Sequence, residues 1–147
     1  MTVAPYRLDD QVGFLLRRAH QRHTALFADR MPRHLTPTQF SAIVRLHQHG
    51  PSSQNLLGRD IAVDAATIKG VVDRLTARGL VAVAPDEQDA RRVTVSLTDD
   101  GVALAERCIP LAAEITEATL APIAPSQREV LLDLLRALGD GGQRRED

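Results

Sequence analysis

Apolar residues recur at helical spacing in the first and last thirds of the chain. Over residues 9–30 they fall every three to four positions with polar residues between them, which predicts one long helix. The same spacing predicts a second long helix over residues 99–120, kinked at Pro110, and a last helix over residues 126–138. Both outer thirds of the sequence are therefore predicted to be helical and amphipathic.

The middle third contains shorter segments with clear helix-start signals. Thr36 and Gln39 have the residue types and spacing of a capping box, with a proline between them at the first helical position. Ser52 or Ser53 is predicted to cap a short helix, and Asp64 to cap the next one. Because only three residues separate these two helices, they are predicted to form a helix-turn-helix.

A β-hairpin is predicted directly after the helix-turn-helix. Residues 80–83 form a short apolar run, residues 85–90 a polar turn, and residues 91–97 alternate strictly between apolar and polar side chains. Two short helices followed at once by a two-stranded hairpin is the element order of a winged helix-turn-helix. The hairpin is therefore predicted to be the wing.

We therefore predict a fold that is mainly α with a small β-hairpin: a winged helix-turn-helix with long N- and C-terminal dimerisation helices. Residues 1–147 are predicted to be a single domain. Residues 8–35 and 101–138 would form the dimerisation helices, residues 36–100 the winged helix-turn-helix, and residues 139–147 a flexible tail. The terminal helices carry more apolar surface than one small subunit readily covers, which favours a homodimer.

Composition narrows the class of protein. Apolar residues make up 44% and charged residues 25% of the chain, as in a folded soluble domain, and the formal charge of −1 gives no global attraction to polyanions. The sequence shows no membrane helix or signal peptide, so we expect a cytoplasmic protein. One cysteine and four aromatic residues argue against a disulfide framework and against stacking platforms for single-stranded nucleic acid. We find no catalytic or nucleotide-binding motif and expect no enzyme activity.

The helix-turn-helix and the hairpin carry the candidate DNA-binding residues. A helix enters the major groove when residues near its N-terminus are short or hydrogen-bonding, and an arginine beside a hairpin turn can enter the minor groove. The start of the first helix of the helix-turn-helix offers a hydroxyl and backbone N–H groups to phosphate. The candidates are Ser53, Gln54, Asp64, Thr67, Lys69, Gly70, Arg74, Arg91 and Arg92. Asp73 and Asp89 are predicted to support Arg74 and Arg91 by ion pairing.

The charge of this region leaves a second interpretation open. Residues 52–100 contain six cations and eight acids, which disfavours strong nonspecific binding to DNA. Several of these acids lie in predicted turns or caps, where they can point away from DNA. If the polar helix face is only a solvated face, the chain is a helical protein-interaction adaptor without DNA binding.

The hairpin residues resemble the signature of a known family. The run Asp89-Ala90-Arg91-Arg92-Val93-Thr94-Val95-Ser96-Leu97-Thr98 matches the pattern D-x-R-x-x-x-V-x-L-T of the MarR family of bacterial transcription regulators, and Gly101 follows as in that family. Residues 64–75 and 78–81 resemble the family's recognition helix and its exit into the wing. Residues 35–40 resemble the start of its second helix, so the resemblance covers nearly the whole chain.

This resemblance implies a repressor that is an obligate homodimer with interlocked first and last helices. Such a protein binds a pseudo-palindromic operator in double-stranded DNA and is usually released by a small phenolic or aromatic acid. Carried onto this sequence, the resemblance implies DNA contacts from Thr67, Lys69 and Arg74 on the recognition helix and from Arg91 on the wing, with Asp89 as support. Ala124 stands where the family commonly has a capping Ser or Thr, so the start of the last helix stays open.

The first helix supplies candidates for binding an effector. Arginine and histidine can pair with a carboxylate, while Phe14, Phe27 and Phe40 can line an aromatic ring. The candidate effector residues are Arg17, Arg18, His20, His23 and Phe40. Solvated side chains or helix-end contacts are an equally good account of the arginines and histidines. Residues 53–55 and 64–72 are similar to a MarR subgroup that regulates nicotinate catabolism, which implies a hydroxylated nicotinate as effector.

Two other kinds of switch remain as alternatives of the same fold. His20 and His23 could share a metal ion with His34 or His47, although no cysteine or acidic cluster accompanies them. Cys108 could sense peroxide, but its apolar neighbours favour a buried structural thiol. We therefore expect no metal site and no cofactor, and a small aromatic acid as the effector, with a metal- or redox-responsive regulator as the alternative.

Overall fold

The computed structural model describes residues 4–32 and 34–141. Within them the chain forms six α-helices and three β-strands, and a 3₁₀ turn at Leu8–Asp10 precedes the first helix. In chain order these are α1 (Val12–Arg30), α2 (Pro37–His49), β1 (Ser52–Ser53), α3 (Gln54–Asp60), α4 (Ala65–Ala77), β2 (Val81–Pro85), β3 (Val93–Leu97), α5 (Asp99–Leu120) and α6 (Pro125–Asp140). The predicted winged helix-turn-helix between two helical ends is confirmed.

The helix starts follow the predicted capping residues. The Thr36 hydroxyl accepts a hydrogen bond from the Gln39 N–H at 3.2 Å, and the Gln39 side chain accepts one from the Thr36 N–H at 3.4 Å, so the capping box is confirmed. The Ser53 hydroxyl caps α3 and the Asp64 carboxylate caps α4 in the same way. These local bonds fix where the two helices of the helix-turn-helix begin.

The wing is part of a three-stranded antiparallel sheet in the order β1-β3-β2. Val81 pairs with Leu97 and Pro85 with Val93, which closes the predicted hairpin. The second strand was predicted to begin at residue 91, but Arg91 and Arg92 belong to the turn, where the Arg92 N–H bonds the Asp89 carbonyl. The strand β1 was not predicted, because two serines carry no apolar alternation.

The core lies between the end of α1, the helices α2, α3 and α4, the sheet and the buried side of α5. Its most deeply buried side chains are Ile43, Leu57, Ile68, Val72, Leu75, Val95 and Cys108. α1 packs along α5, and α5 also contacts α2 and β3. One continuous core therefore joins the helix-turn-helix and the wing to α1 and α5.

α6 extends further than predicted and is not covered by the rest of the chain. It has no buried residue, and its apolar side chains Val130, Leu134 and Leu138 are 57%, 59% and 60% exposed. The tail predicted over residues 139–147 is corrected at its start, since the helix runs to Asp140 and ends at Gly141 in the left-handed region. Residues 142–147 lie outside the described part.

Ala124 caps α6 without a side-chain hydrogen bond, as its departure from the family pattern implies. α5 continues through Pro110 to Leu120. Within residues 4–32 and 34–141, no helix combines the length and the apolar character that a membrane crossing requires.

Candidate nucleic-acid interface

One face of α4 is buried and the opposite face is free. Ile68, Val71, Val72 and Leu75 pack into the core at helical spacing. Thr67, Lys69 and Arg74 are exposed on the other side, and Gly70 is half-buried between them. The residues predicted to read DNA therefore point away from the subunit rather than into it.

Asp64 is bound to its own helix. Its carboxylate accepts a hydrogen bond from the Thr67 N–H at 2.7 Å. Hydrogen bonds from the Thr67 side chain and N–H hold the pKa of Asp64 below its ordinary value of 3.8. Its part in this interface is to fix the start of α4, and with it the position of Thr67.

The predicted pairing of Asp73 with Arg74 is wrong. Asp73 instead forms an ion pair with Lys69, one helical turn earlier, with 2.9 Å between its Oδ2 and the Lys69 Nζ. Neighbouring positions of a helix do not face each other, whereas i and i+4 do, so Lys69 is the natural partner. Asp73 therefore restrains a candidate DNA contact on α4 and does not support the wing.

The turn of the wing, between β2 and β3, is held by two carboxylates. Asp86 accepts hydrogen bonds from the N–H groups of Gln88 and Asp89, which hold its pKa below the ordinary value. Asp89 lies 3.3 Å from Nε of Arg91 and 3.9 Å from Nε of Arg92. The predicted contact between Asp89 and Arg91 is confirmed, while the Arg91 side chain remains 92% exposed. The wing thus presents an oriented but accessible guanidinium.

A groove of about 630 Å³ runs between α3, the start of α4 and the wing. We call it the α3–wing groove. Ser53 and Gln54 line it at one side and Arg91 and Arg92 at the other. The structure thus brings four of the predicted DNA-binding residues around one concavity, while Thr67, Lys69 and Arg74 form the neighbouring exposed face of α4.

Sequence reasoning missed two further residues of this groove. Asn55 and Arg59 also line it, one turn apart on the exposed side of α3. The i, i+4 spacing of two polar residues on a helix whose Leu57 and Gly58 are buried was the available signal. The pair lies beyond the helix start at Ser53 and Gln54, where the sequence predicts the phosphate contacts.

The predicted effector residues do not surround one cavity. Arg18 and His20 are exposed, and His23 bonds the Thr119 hydroxyl at 2.9 Å. Phe40 packs edge to face on Phe27 with ring centroids 5.9 Å apart, as part of the core. His23 thus joins α1 to α5 and Phe40 packs against the core, while an effector role for Arg17, Arg18, His20, His23 and Phe40 stays a prediction.

Two open clefts flank α1. The N-terminal cleft, of about 410 Å³, is lined by Tyr6, Leu8, Gln11, Val12, Gly13, Phe14 and Arg17. The Phe27 cleft, of about 440 Å³, is lined by Thr24, Phe27, Ala28, Met31, Pro32, Leu35, Thr36 and Pro37. Among the described residues that line these clefts, those of the N-terminal cleft combine aromatic rings with a cation, Arg17.

The two alternative switches are a redox-sensing thiol at Cys108 and a metal site. Cys108 is fully buried, and burial raises the pKa of its thiol, so the reactive thiolate is disfavoured. In the part of the chain that the structure describes, no three His, Cys, Asp or Glu side chains are grouped as metal ligands. The buried structural thiol is therefore the better account of Cys108.

The same arrangement of helices and wing is found in known transcription regulators. Residues 35–93 match the MarR family. The chain is 45% identical to the HTH-type transcriptional repressor NicR of Pseudomonas putida over 95% of its own length and 89% of that protein. The chain belongs to the MarR family. It is a DNA-binding transcriptional regulator with the winged helix-turn-helix of that family.

Two solved structures of MarR-type regulators are similar over almost the whole chain. BpsR of Bordetella bronchiseptica, whose DNA binding is regulated by 6-hydroxynicotinic acid, superposes with a TM-score of 0.90 at 43% identity, covering 93% of this chain and 99% of that one. PcaV of Streptomyces coelicolor, solved with its natural ligand, gives a TM-score of 0.90 at 31% identity, covering 96% and 100%. The fold is therefore one in which small molecules bind to transcription regulators.

Proposed function

We propose that this MarR-family regulator is a homodimeric repressor that binds a pseudo-palindromic operator and is released by a hydroxylated nicotinate. The observation that carries the proposal is the exposed face of α4 beside a wing whose Arg91 is oriented by Asp89 at 3.3 Å. A helix in the major groove and an arginine in the adjacent minor groove make complementary contacts. Contact with chromosomal DNA places the protein in the cytoplasm, and its role there is regulatory rather than enzymatic.

The apolar surface of the terminal elements supports the homodimer. The α6 face is uncovered within the chain, and Leu15 and Leu16 of α1 are 46% and 43% exposed. Burial of such apolar surface is the dominant favourable contribution to most protein association. A second subunit related by two-fold symmetry covers the apolar surfaces of α6 and α1. The resulting dimer presents two α4 helices to DNA, about 34 Å apart, the spacing of successive major grooves.

The DNA contact is tested by replacing Arg91. We expect Arg91→Ala to weaken binding to a promoter fragment from its own locus by roughly tenfold or more, because it removes a charged hydrogen-bonding group. Its thermal unfolding should stay unchanged, since the side chain is exposed. Arg107→Ala, which removes the same charge from an exposed position on α5 outside the groove, is the matched control. Unchanged retardation of the fragment by Arg91→Ala would refute the proposed interface.

The N-terminal cleft supports the proposed class of effector. Arg17 can pair bidentately with a carboxylate, and Phe14 and Tyr6 offer faces for a heteroaromatic ring. The similarity to NicR and to BpsR, which responds to 6-hydroxynicotinic acid, supports a hydroxylated nicotinate rather than another aromatic acid. In this proposal Arg17 binds the carboxylate of the effector. The other predicted effector residues, Arg18, His20, His23 and Phe40, do not line this cleft.

The effector is tested by thermal shift with 6-hydroxynicotinic acid, with nicotinic acid and 4-hydroxybenzoic acid as comparisons. A ligand at about 100 times its dissociation constant adds about 2.7 kcal/mol of stability, so a clear rise in melting temperature is expected. Arg17→Ala should abolish the shift, whereas Arg18→Ala removes the same charge from a position outside the cleft and should keep it. The hydroxynicotinate assignment fails if the wild-type protein does not respond to the acid.

A further inference from the structure

We propose that Arg59 of α3 contacts the sugar-phosphate backbone of the operator from inside the α3–wing groove. The inference rests on the proposed DNA-binding function and adds a residue to it. Arg59 lines the groove together with Arg91 and Arg92, and its side chain is exposed. Three arginines therefore line one concavity.

The charge balance of the groove favours a polyanion. None of the residues that line it is an acid. The neighbouring Asp89 pairs with Arg91 and Arg92, so one carboxylate is shared by two cations. Among the ion pairs within residues 4–32 and 34–141, none involves Arg59. The local surface is thus positive although the region as a whole is slightly acidic.

The packing of α3 fixes where Arg59 lies. Leu57 is fully buried, and an ideal Cβ on Gly58 would come within 3.0 Å of the Ile68 side chain, so α3 and α4 are in close contact. Arg59 follows directly in α3 and lines the groove. The Asn55 side chain lies one turn earlier on the same side.

The position of α3 in the motif identifies the chemical partner. In a helix-turn-helix the second helix enters the major groove while the first helix crosses the backbone. A cation on the first helix is therefore placed against phosphate and away from the base edges. Contacts of this kind set register and affinity without reading sequence.

The test measures DNA affinity of the full-length protein as a function of salt. The probes are a promoter fragment from its own locus and an unrelated duplex of equal length. Arg59→Ala is expected to weaken binding to both duplexes by a similar factor, about tenfold. One phosphate contact per subunit corresponds to a fall of about 1.8 in the salt slope of the dimer. Arg59→Lys should keep most of the slope, and Arg107→Ala should match the wild-type protein.

Arg91→Ala on the same duplexes distinguishes a wrong role for Arg59 from a wrong DNA interface. If Arg91→Ala weakens binding while Arg59→Ala leaves affinity and slope unchanged, the interface stands and the role of Arg59 is wrong. If Arg59→Ala weakens binding to the promoter fragment alone with an unchanged slope, the residue reads bases and the phosphate assignment is overturned. If the wild-type protein binds neither duplex, the proposed function fails and the role of Arg59 fails with it.

Discussion

Ala62 lies in the turn of the helix-turn-helix with φ of +60°, a region that residues with a Cβ rarely occupy. The turn is held by hydrogen bonds from the Ala62 N–H to the Arg59 carbonyl and from the Val63 N–H to the Gly58 carbonyl. The angle between α3 and α4 thus depends on a backbone conformation that alanine adopts at a cost of about 1 kcal/mol.

We therefore expect Ala62→Gly to stabilise the protein by about 1 kcal/mol, because glycine adopts this conformation without a steric penalty. Urea unfolding at a fixed protein concentration measures the change. Ala103→Gly, at an exposed position inside α5, is the matched control and should destabilise by about 1 kcal/mol. A loss of stability in Ala62→Gly would show that the turn is not strained.

Gly101 is the opposite case, a position where any side chain collides with the backbone. A Cβ there would clash with the Leu80 carbonyl oxygen and come within 3.1 Å of the Leu97 side chain. This close approach holds the first turn of α5 against the base of the wing. The Thr98 hydroxyl reinforces it by donating a hydrogen bond to the Gly79 carbonyl at 2.6 Å.

Gly101→Ala is expected to destabilise the protein by about 1–3 kcal/mol, the usual cost of overpacking. Gly139→Ala, where an added Cβ meets nothing within 4 Å, should lose no stability. Thermal and urea unfolding of both variants measure the difference. If the two variants behave alike, the base of the wing is less tightly packed than described.

At the scale of elements, the start of the recognition helix α4 depends on an ionised cap. The Asp64 carboxylate accepts from the Thr67 N–H and interacts favourably with the positive end of the helix dipole. Because its pKa is lowered in the folded protein, its contribution is present above the ordinary value of 3.8 and is lost as pH falls through the lower folded pKa.

Asp64→Asn keeps a capping oxygen but removes the charge, so it isolates this effect. We expect the wild-type protein to be the more stable of the two at neutral pH, and the difference to shrink as pH falls below 3.8. Unfolding free energies of both proteins at a series of pH values measure it. A difference that stays constant with pH would mean that the carboxylate charge does not stabilise α4.

Most elements of this fold could be predicted, and the failures have physical causes. Helix starts were predictable because the side chains of Thr36, Ser53 and Asp64 accept hydrogen bonds from backbone N–H groups only three residues later, a local interaction. The strand β1 was not, because its pairing with β3 is non-local and its two serines have no apolar pattern. The pairing of Asp89 with Arg91 was predictable because both residues lie in one tight turn. The partner of Asp73 is Lys69, four residues earlier, because residues four apart share one face of a helix.

In the whole molecule, the apolar face of α6 needs a second subunit to cover it. Contacts between α1 and α5 are formed within the chain, and Arg22 bonds the carbonyls of Ala118 and Thr119 at 2.8 Å each, at the end of α5. α6 then continues with its apolar side uncovered. A cleft for the effector could not be located from sequence, because the direction of each α1 side chain depends on how α1 packs on α5.

Leu134→Glu is expected to shift the protein from dimer to monomer, since it places a charge in the apolar stripe of α6. Glu129→Arg on the polar side of the same helix is the control and should leave the assembly intact. Sedimentation equilibrium at micromolar concentration distinguishes the two states. A wild-type protein that is monomeric under these conditions would contradict the proposed role of α6.

The central claim is that the α4 face and the wing hold an operator until a hydroxylated nicotinate binds. Gel retardation of a promoter fragment from its own locus, with and without 6-hydroxynicotinic acid, tests this most directly. The account predicts a retarded dimer–DNA complex in buffer, release of free DNA as the acid is added, and no release with equal nicotinic acid. A fragment that is never retarded at low salt, or a complex that ignores the acid, would contradict it.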